Sequence, residues 1–208
     1  TKQTELQQLK KQINPHFLYN TLEAIQGIAL EHGVPKIADA AGALGKLFRH
    51  NIQGSDMIPL GKELEITQAY LTIQKLRFAD KLNVLISIRE NTRGIPVMKL
   101  LLQPLVENAL LHGILYCDKT EKRLVIRAWR SSRAFGVEIE DNGNGMAPET
   151  AQKLTELDIR TSKSYGVANV HKRLDIFGQG KCKFYISARK GIGTCVMIEL
   201  PVQPHDSD

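Results

Sequence analysis

Residues 100–113, LLLQPLVENALLHG, are the stretch that most constrains what this chain can fold into. An α-helix turns by about 100° per residue, so the apolar and polar side chains of this stretch separate onto opposite faces. The apolar face gathers Leu102, Leu105, Val106, Ala109 and Leu110. The polar face gathers Gln103, Glu107, Asn108 and His112. Asn108 and His112 stand four residues apart, which predicts that they share one surface and one ligand or ion; a solvated polar face is the alternative.

Two glycine-rich loops follow this helix, DNGNG at residues 141–145 and GIGT at residues 191–194. Asp141 ends an apolar strand, where a carboxylate is costly unless it has a partner, and the exocyclic amine of a purine suits that role. Gly143 and Gly145 let the backbone approach a ring and turn sharply without a Cβ clash. The amide oxygen of Asn108 suits Mg²⁺, which prefers oxygen and phosphate ligands. Taken alone, each loop is also an ordinary turn sequence.

The first 78 residues carry apolar side chains at three- and four-residue steps, which predicts helices. Pro15 predicts a kink in the first helix, residues 33–35 (GVP) predict a turn, and a third helix is predicted at residues 62–78. The first two helices carry the stripes Leu6, Leu9, Ile13 and Phe17, and Ile37, Ala41, Leu44 and Phe48. Two antiparallel helices cannot bury both stripes alone, so we expect a homodimer that forms a four-helix bundle.

The second part of the chain mixes strands and helices. Apolar runs predict strands at residues 82–88, 123–129, 134–140, 183–188 and 194–200. Short helices are predicted at residues 148–157 and 167–177, with a polar loop at 158–165 between them. This order predicts an α+β protein, with N-terminal antiparallel helices followed by an α/β sandwich with a mixed sheet. The domains are predicted at residues 1–82 and 83–203.

Composition narrows the class of protein further. The net charge is +6, but the Lys and Arg residues are dispersed, so handling of phosphates explains the charge as well as nucleic acid does, and we expect no direct nucleic-acid binding. Cys117, Cys182 and Cys195 lie far apart without a CxxC pair, which argues against a zinc ribbon or a disulfide framework and suits a reducing cytoplasm. No signal peptide or membrane-spanning run is evident, and the first residues look like a helix entered partway, as in a fragment.

Five motifs together resemble sensor histidine kinases of the LytS/YehU type, which belong to the GHKL ATPase superfamily. They are QINPHFLYN at 12–20, LQPLVENALLHG at 102–113, EDNGNGM at 140–146, GVANVHKRL at 166–174 and GIGT at 191–194. The first two are specific to this type, whereas GHKL ATPases share the glycine loops. Two positions depart from the pattern: Ser164 stands where the lid usually has its first glycine, and Phe17 follows His16 where many other histidine kinases have an acidic residue.

The resemblance implies a role for each matching residue. His16 is the expected phosphoacceptor, Asn20 its hydrogen-bond partner, and Glu107 a candidate general base. Asn108 is the expected Mg²⁺ ligand, and residues 146–165 are the expected mobile lid. The expected ATP-binding residues are Asn108, His112, Asp141, Gly143, Gly145, Lys163, Gly166, Val167, Asn169, Gly193 and Thr194.

The implied function is an ATP-dependent histidine autokinase of a two-component system. Phosphate from ATP, bound with Mg²⁺, would pass to His16 and then to a response regulator. The expected partners are a second copy of this chain, that regulator, and an upstream membrane sensor domain in the full-length protein, which makes this chain the cytoplasmic region of a membrane-anchored protein. Two alternatives stay open: a degenerate kinase core that acts as a nucleotide-binding dimeric scaffold, and an ATPase that only hydrolyses ATP.

Overall fold

The computed structural model describes residues 15–52, 55–78, 81–156 and 165–201. These residues fall into two compact units. A helical unit takes the described part of residues 1–55 together with Glu65–Phe78, and an α/β unit takes Asp56–Leu64 and the described residues from 81 onward. The predicted fold class, N-terminal helices followed by a mixed α/β part, is therefore confirmed.

The helical unit begins with a hairpin of helices α1 (Pro15–Glu31) and α2 (Pro35–Ile52). The turn between them is the predicted one, with Gly33 in the left-handed region at φ +68° and Pro35 opening the second helix. The two helices of the hairpin pack through Leu22 on α1 and through Leu47 and several buried alanines on α2. The alanines allow the two backbones to approach closely. The predicted kink at Pro15 and the stripe residues Leu6, Leu9 and Ile13 involve positions outside the described residues.

The face that α2 buries in one chain is not the predicted stripe. Ala41 is buried, but Ile37 and Leu44 are exposed and Phe48 is half-buried. The buried positions are Ala38, Ala41, Ala43 and Leu47. Apolar residues occupy more than one face of α2. The three- and four-residue spacing was therefore compatible with burial of the predicted stripe and with burial of the alanine-rich face that the structure shows. The larger side chains of the predicted stripe stay on the surface of the single chain.

The α/β unit is built on a five-stranded mixed sheet in the order β2-β4-β5-β7-β6. Strand β2 runs parallel to β4, and the remaining pairs are antiparallel. The strands are β2 (Leu82–Ile88), β4 (Lys122–Arg130), β5 (Ala134–Asp141), β6 (Lys183–Arg189) and β7 (Gly193–Pro201). All five strand predictions are confirmed within one or two residues, including the hairpin between β4 and β5.

The two faces of the sheet differ, as a two-layer sandwich requires. One face is apolar, and Leu124, Ile126 and Ile139 on it are buried with the inner faces of the helices. The other face is polar, and Arg127 on it bonds to both Glu138 and Glu140. The helices are α3 (Leu60–Phe78, shared with the helical unit), α4 (Leu102–Asn108), α5 (Pro148–Thr155) and α6 (Tyr165–Phe177).

A short two-stranded ribbon, which the sequence did not predict, joins the start of α3 to the segment before α4. Strand β1 (Met57–Pro59) pairs antiparallel with β3 (Pro96–Met98). The connection after β2 holds a 3₁₀ turn at Glu90–Thr92 and then leads into β3. Three-residue strands are too short to show an alternating pattern.

The predicted helix at residues 100–113 forms in two parts. An α-helix covers α4 (Leu102–Asn108), and a π-helical segment continues over Ala109–Ile114. All five residues of the predicted apolar face are buried, which confirms that part of the prediction. The hydrogen-bond ladder changes to a five-residue repeat after Asn108, and the expectation that Asn108 and His112 share one ligand or ion stays a prediction.

Both later helices of the α/β unit form close to their predicted positions, and α6 begins two residues earlier than expected. Most of the polar loop predicted at 158–165 lies outside the described residues, as do Lys163 and Ser164. Within the described ranges, none of the helices combines the length and apolar character that crossing a bilayer would need.

Candidate nucleotide-binding site

Asp141 is the last residue of β5 and the most deeply buried acid at this end of the sheet. Its side chain is 6% exposed, and its neighbours in the sheet are Leu124 on β4 and Thr194 on β7. The backbone N–H of Gly143 donates a hydrogen bond of 2.8 Å to Asp141 Oδ1. The sheet register therefore places Thr194 beside Asp141, although the two residues belong to separate loops in the sequence, and Gly143 bonds to Asp141 from the loop that follows β5.

Burial raises the pKa of Asp141 to about 6, despite backbone hydrogen bonds from Gly143 and Thr194 and the positive charge of Lys119, which lower it. The ionised carboxylate is thus poorly solvated in this position. A ligand N–H group that donates to it would replace part of the lost hydration. Such a site favours a donor over an acceptor, which suits an amino-substituted ring.

Three glycines allow the surrounding segments to converge on Asp141. A Cβ atom on Gly113, in the π-helical segment, would lie 2.6 Å from Asp141 Oδ1. A Cβ on Gly143 would overlap the backbone of Gly113, and a Cβ on Gly193 would overlap the carbonyl of Asp141. Side chains at these positions would push the segments apart and open the cradle around the carboxylate.

The two glycine loops also touch each other. The N–H of Gly191 donates a 2.7 Å hydrogen bond to the carbonyl of Asn144. Gly145 has a φ of +61°, and a Cβ there would overlap the carbonyl of Arg189 at the end of β6. The loop at 141–145 and the turn at 191–194, which could each have been an independent turn, therefore form one structure.

Lys119 fastens these loops together, and no motif in the sequence pointed to it. Its Nζ donates to the carbonyls of Asn142 (2.6 Å) and Ile192 (2.8 Å). Asn142 is itself held in place, since its Oδ1 accepts from the N–H of Arg123 and its Nδ2 donates to the carbonyl of Glu121. Both partners of Lys119 are backbone carbonyls, so the residue types at positions 142 and 192 do not indicate these bonds in the sequence.

The polar face of α4 contributes an amide and a carboxylate. Gln103 Nε2 donates a 2.8 Å hydrogen bond to Glu107 Oε1, while Gln103 Oε1 is buried with no partner among the described residues. Glu107 and Asn108 are half-buried, and His112 is exposed on the π-helical segment. Asn108 ends the α-helical part, five residues before Gly113.

The start of α6 borders a cleft against α4. Gly166 and Asn169 line this cavity of about 410 Å³ together with Leu100 and Pro104. Val167, also expected to bind nucleotide, has its side chain 2% exposed within the core, so only its backbone is available to a ligand. The expected contribution of Lys163 lies outside the described residues.

His16 lies on the surface of α1 in the helical unit. Asn20 Nδ2 is 3.4 Å from His16 Nδ1, one helical turn away. With the amide in this orientation Nδ1 accepts, and the neutral ring carries its proton on Nε2. A half-turn of the amide would present Oδ1 to an Nδ1–H group and leave the lone pair of Nε2 available.

A buried strand-end carboxylate, glycine loops that converge on it and a neighbouring polar-faced helix define the class: an ATP-binding α/β sandwich of the GHKL type. Residues 98–204 match the family model described as Histidine kinase-, DNA gyrase B-, and HSP90-like ATPase, and residues 4–82 match the model described as Histidine kinase. The chain therefore belongs to the sensor histidine kinases of the LytS/YehU type, whose ATPase domain binds ATP.

Named relatives agree with this assignment. The chain is 31% identical over 203 residues to the sensor histidine kinase YesM of Bacillus subtilis, covering 96% of this chain and 34% of that protein. It is 28% identical over 209 residues to the sensor protein kinase HptS of Staphylococcus aureus, covering 98% of this chain and 39% of that protein. The chain thus spans less than two fifths of the length of these curated relatives.

The fold is similar to that of a solved kinase domain. The histidine kinase domain of a blue-light activated histidine kinase from Erythrobacter litoralis superposes with a TM-score of 0.54 at 18% identity, covering 92% of this chain and 95% of that one. At this level of identity, the likeness concerns the fold alone.

Proposed function

We propose that this chain is the ATP-dependent histidine autokinase core of a two-component system, which phosphorylates His16 and passes the phosphate to an aspartate of a response regulator. The observation that carries the proposal is the poorly solvated Asp141 carboxylate in its glycine cradle. This site suits a purine amine, and the same chain exposes a histidine with an amide partner one turn away. The family match adds independent support.

Asp141 accepts the exocyclic amine of adenine in this proposal. Gly143, Gly145 and Gly193 let the backbone lie against the ring, and Thr194 supports Asp141 from the adjacent strand. Guanine presents a carbonyl oxygen where adenine has an amine, and two acceptors facing each other repel. ATP should therefore bind more tightly than GTP.

Asn108 is the proposed Mg²⁺ ligand, because an amide oxygen is a suitable hard donor and the remaining positions suit phosphate oxygens and water. When bound, Mg²⁺ neutralises charge on the transferring phosphoryl group. His112, Lys163 from the lid, and the backbone of Gly166, Val167 and Asn169 at the start of α6 are proposed to bind the phosphates. Gly166 and Asn169 already border the cleft beside α4.

His16 is the proposed nucleophile, and Asn20 sets which ring nitrogen carries the proton. Attack through Nε2 requires the half-turn of the Asn20 amide, so that Oδ1 accepts from Nδ1–H. Glu107 is the candidate general base, and its hydrogen bond from Gln103 fixes the orientation of the carboxylate. Phosphoryl transfer depends mainly on positioning and charge neutralisation, so a weak base suffices.

The surface of the helical hairpin supports a homodimer. Phe17 and Ile28, 70% and 59% exposed, lie eleven residues apart and share one face of α1. Ile37 and Leu44 share one face of α2 and are also exposed. Full burial of such a side chain is worth about 1.5–3 kcal/mol, which favours pairing two hairpins into a four-helix bundle. The family resemblance further suggests a response regulator partner and an upstream membrane sensor, with this chain in the cytoplasm.

A second candidate is a dimeric scaffold that binds nucleotide without transferring phosphate. The observation that favours it is Ser164, which stands where the lid of the family usually has a glycine. A third is simple ATP hydrolysis. Incubation with [γ-³²P]ATP and Mg²⁺ separates all three. Label on the protein that is acid-labile and base-stable supports the kinase, nucleotide binding without label supports the scaffold, and turnover without any labelled protein supports the ATPase.

A further inference from the structure

Glu63 is an acid on α3 that is fully buried, at 0% exposure. It belongs to the apolar stripe of the helix, since Leu60 and Leu64 beside it are buried as well. Burial raises the pKa of Glu63, and backbone hydrogen bonds from residues 100–103 oppose that rise. A carboxyl group is costly in such a place unless it is well bonded.

The partners of Glu63 are the backbone N–H groups that open α4. Leu102 N donates to Oε1 and Leu100 N donates to Oε2, each at 3.1 Å. The backbone amides of Leu101 and Gln103 also stabilise the charged carboxylate. Leu101 occupies the N-cap position and has no polar side chain to satisfy these donors. Glu63, 39 residues earlier in the chain than Leu102, therefore caps α4.

The backbone entering α4 is held in an unusual conformation at this point. Leu100 has a φ of +58°, in the left-handed region that a leucine rarely adopts. Its N–H is bound by Glu63, and its carbonyl accepts from Arg173 on α6. The path of the chain into α4 is thus imposed by contacts from α3 and α6.

The ribbon before α4 reinforces the same junction. Besides the β1–β3 pairing, Leu60 N donates to the Ile95 carbonyl (2.9 Å) and Gly61 N donates to the Arg93 carbonyl (2.8 Å). Lys99 N donates to the Asp56 carbonyl at 2.8 Å. The start of α3 and the entry into α4 are therefore joined by backbone bonds, and Glu63 continues the connection onto α4 itself.

We propose that Glu63 is a positioning residue for the metal ligand Asn108: by bonding the N-terminal amides of α4, it fixes the rotation of this helix about its axis. Asn108 lies six residues after Leu102 on the same short helix, and each residue of slippage rotates a side chain by about 100°. This inference rests on the proposed function, in which Asn108 binds Mg²⁺. Asp141 is held by strand pairing with β7 and by the N–H of Gly143, so we expect its contact with adenine to depend much less on Glu63 than the metal contact does, although Gly113 packs against it.

The test uses Glu63→Gln, which keeps the size of the side chain but turns an NH₂ group toward backbone N–H donors. Glu65→Gln is the matched control, because Glu65 is exposed on the same helix. Calorimetry gives the ATP affinity of each protein with Mg²⁺ and with EDTA. We expect Glu63→Gln to reduce the Mg²⁺-dependent gain in affinity by about tenfold, in the range found for groups that orient metal ligands. The affinity in EDTA should change by less than about twofold, and the control should match the parent.

Other outcomes overturn the inference. If Glu63→Gln lowers the ATP affinity equally with Mg²⁺ and with EDTA, the Mg²⁺-dependent gain is unchanged and Glu63 is a residue of general stability. If Glu63→Gln changes neither affinity, Glu63 does not position Asn108. Glu63→Asp, which keeps the charge, guards against misfolding and should lose part of the gain; unfolding of both variants would also overturn the inference. Asn108→Ala identifies where a failure lies. If Asn108→Ala retains the gain, the metal role in the proposed function is wrong, whereas if it loses the gain and Glu63→Gln retains it, only the role of Glu63 is wrong.

Discussion

Replacing Asp141 with asparagine should weaken ATP binding while leaving the free protein at least as stable. Burial raises the pKa of Asp141 from its ordinary 3.8 to about 6, which corresponds to about 3 kcal/mol against the charged form. Asparagine removes this cost and can still accept from the N–H of Gly143 through Oδ1. The melting temperature of the free variant is therefore expected to be equal to or higher than that of the parent.

The affinity should change in the opposite direction. A hydrogen bond to a charged group contributes about 1.5–3 kcal/mol, and a neutral one about 0.5–1.5 kcal/mol. Losing the charge of Asp141 should then cost about 1–2 kcal/mol, or roughly 5- to 30-fold in the ATP dissociation constant. Asp118→Asn is the control, because Asp118 is an exposed aspartate.

The pH dependence gives the sharper test. Below pH about 6 the carboxyl of Asp141 is increasingly protonated in the free protein, so the parent loses its advantage and the two dissociation constants converge as pH falls from 7.5 to 5. Titration of the ATP phosphates affects both proteins equally and cancels in the ratio. Calorimetry at both values measures this ratio. A ratio that is the same at pH 7.5 and pH 5, or equal affinities at pH 7.5, would refute the assignment of Asp141 to the adenine amine.

Three further predictions concern the loops and the hairpin. Gly143→Ala should lower both the melting temperature and the ATP affinity, because its Cβ would overlap the backbone of Gly113; an unchanged melting curve would contradict that packing. Lys119→Met should weaken ATP binding by about 3- to 10-fold, since it releases two carbonyls and removes a charge that favours ionised Asp141. Calorimetry that gave parental affinity would show that the loops hold without it. Ile28→Asp should shift the chain from dimer to monomer in sedimentation at matched concentrations, because Ile28 is exposed in the single hairpin; a parent that is itself monomeric at high concentration would exclude pairing through this face.

The spacing of apolar residues predicted most of the fold, because the buried side chains of a helix or strand recur with the repeat of that element. The apolar face of the helix at residues 100–113 and all five strands of the sheet were predicted in this way. The change to a π-helical segment after Asn108 was not, since a helix that buries Ala109 and Leu110 can do so with either hydrogen-bond pattern. The three-residue strands β1 and β3 are also too short to show a pattern.

The candidate site was predicted where side chains carry its chemistry and missed where backbone atoms do. Asp141 stands out as a carboxylate at the end of an apolar strand. Lys119 and Glu63 bond to carbonyls and N–H groups of distant segments, which no residue type at those positions reveals. One signal for Glu63 was available: it is an acid flanked by Leu60 and Leu64 on the buried stripe of α3.

The most direct test of histidine kinase activity compares two exposed histidines near opposite ends of the same helix. His16 is the proposed phosphoacceptor, and His32, which follows the end of α1, is the matched control. After incubation with [γ-³²P]ATP and Mg²⁺, the parent and His32→Gln should carry equal acid-labile, base-stable label. His16→Gln should carry none while keeping the ATP affinity of the parent. Equal label on His16→Gln and the parent would contradict the proposed phosphorylation of His16.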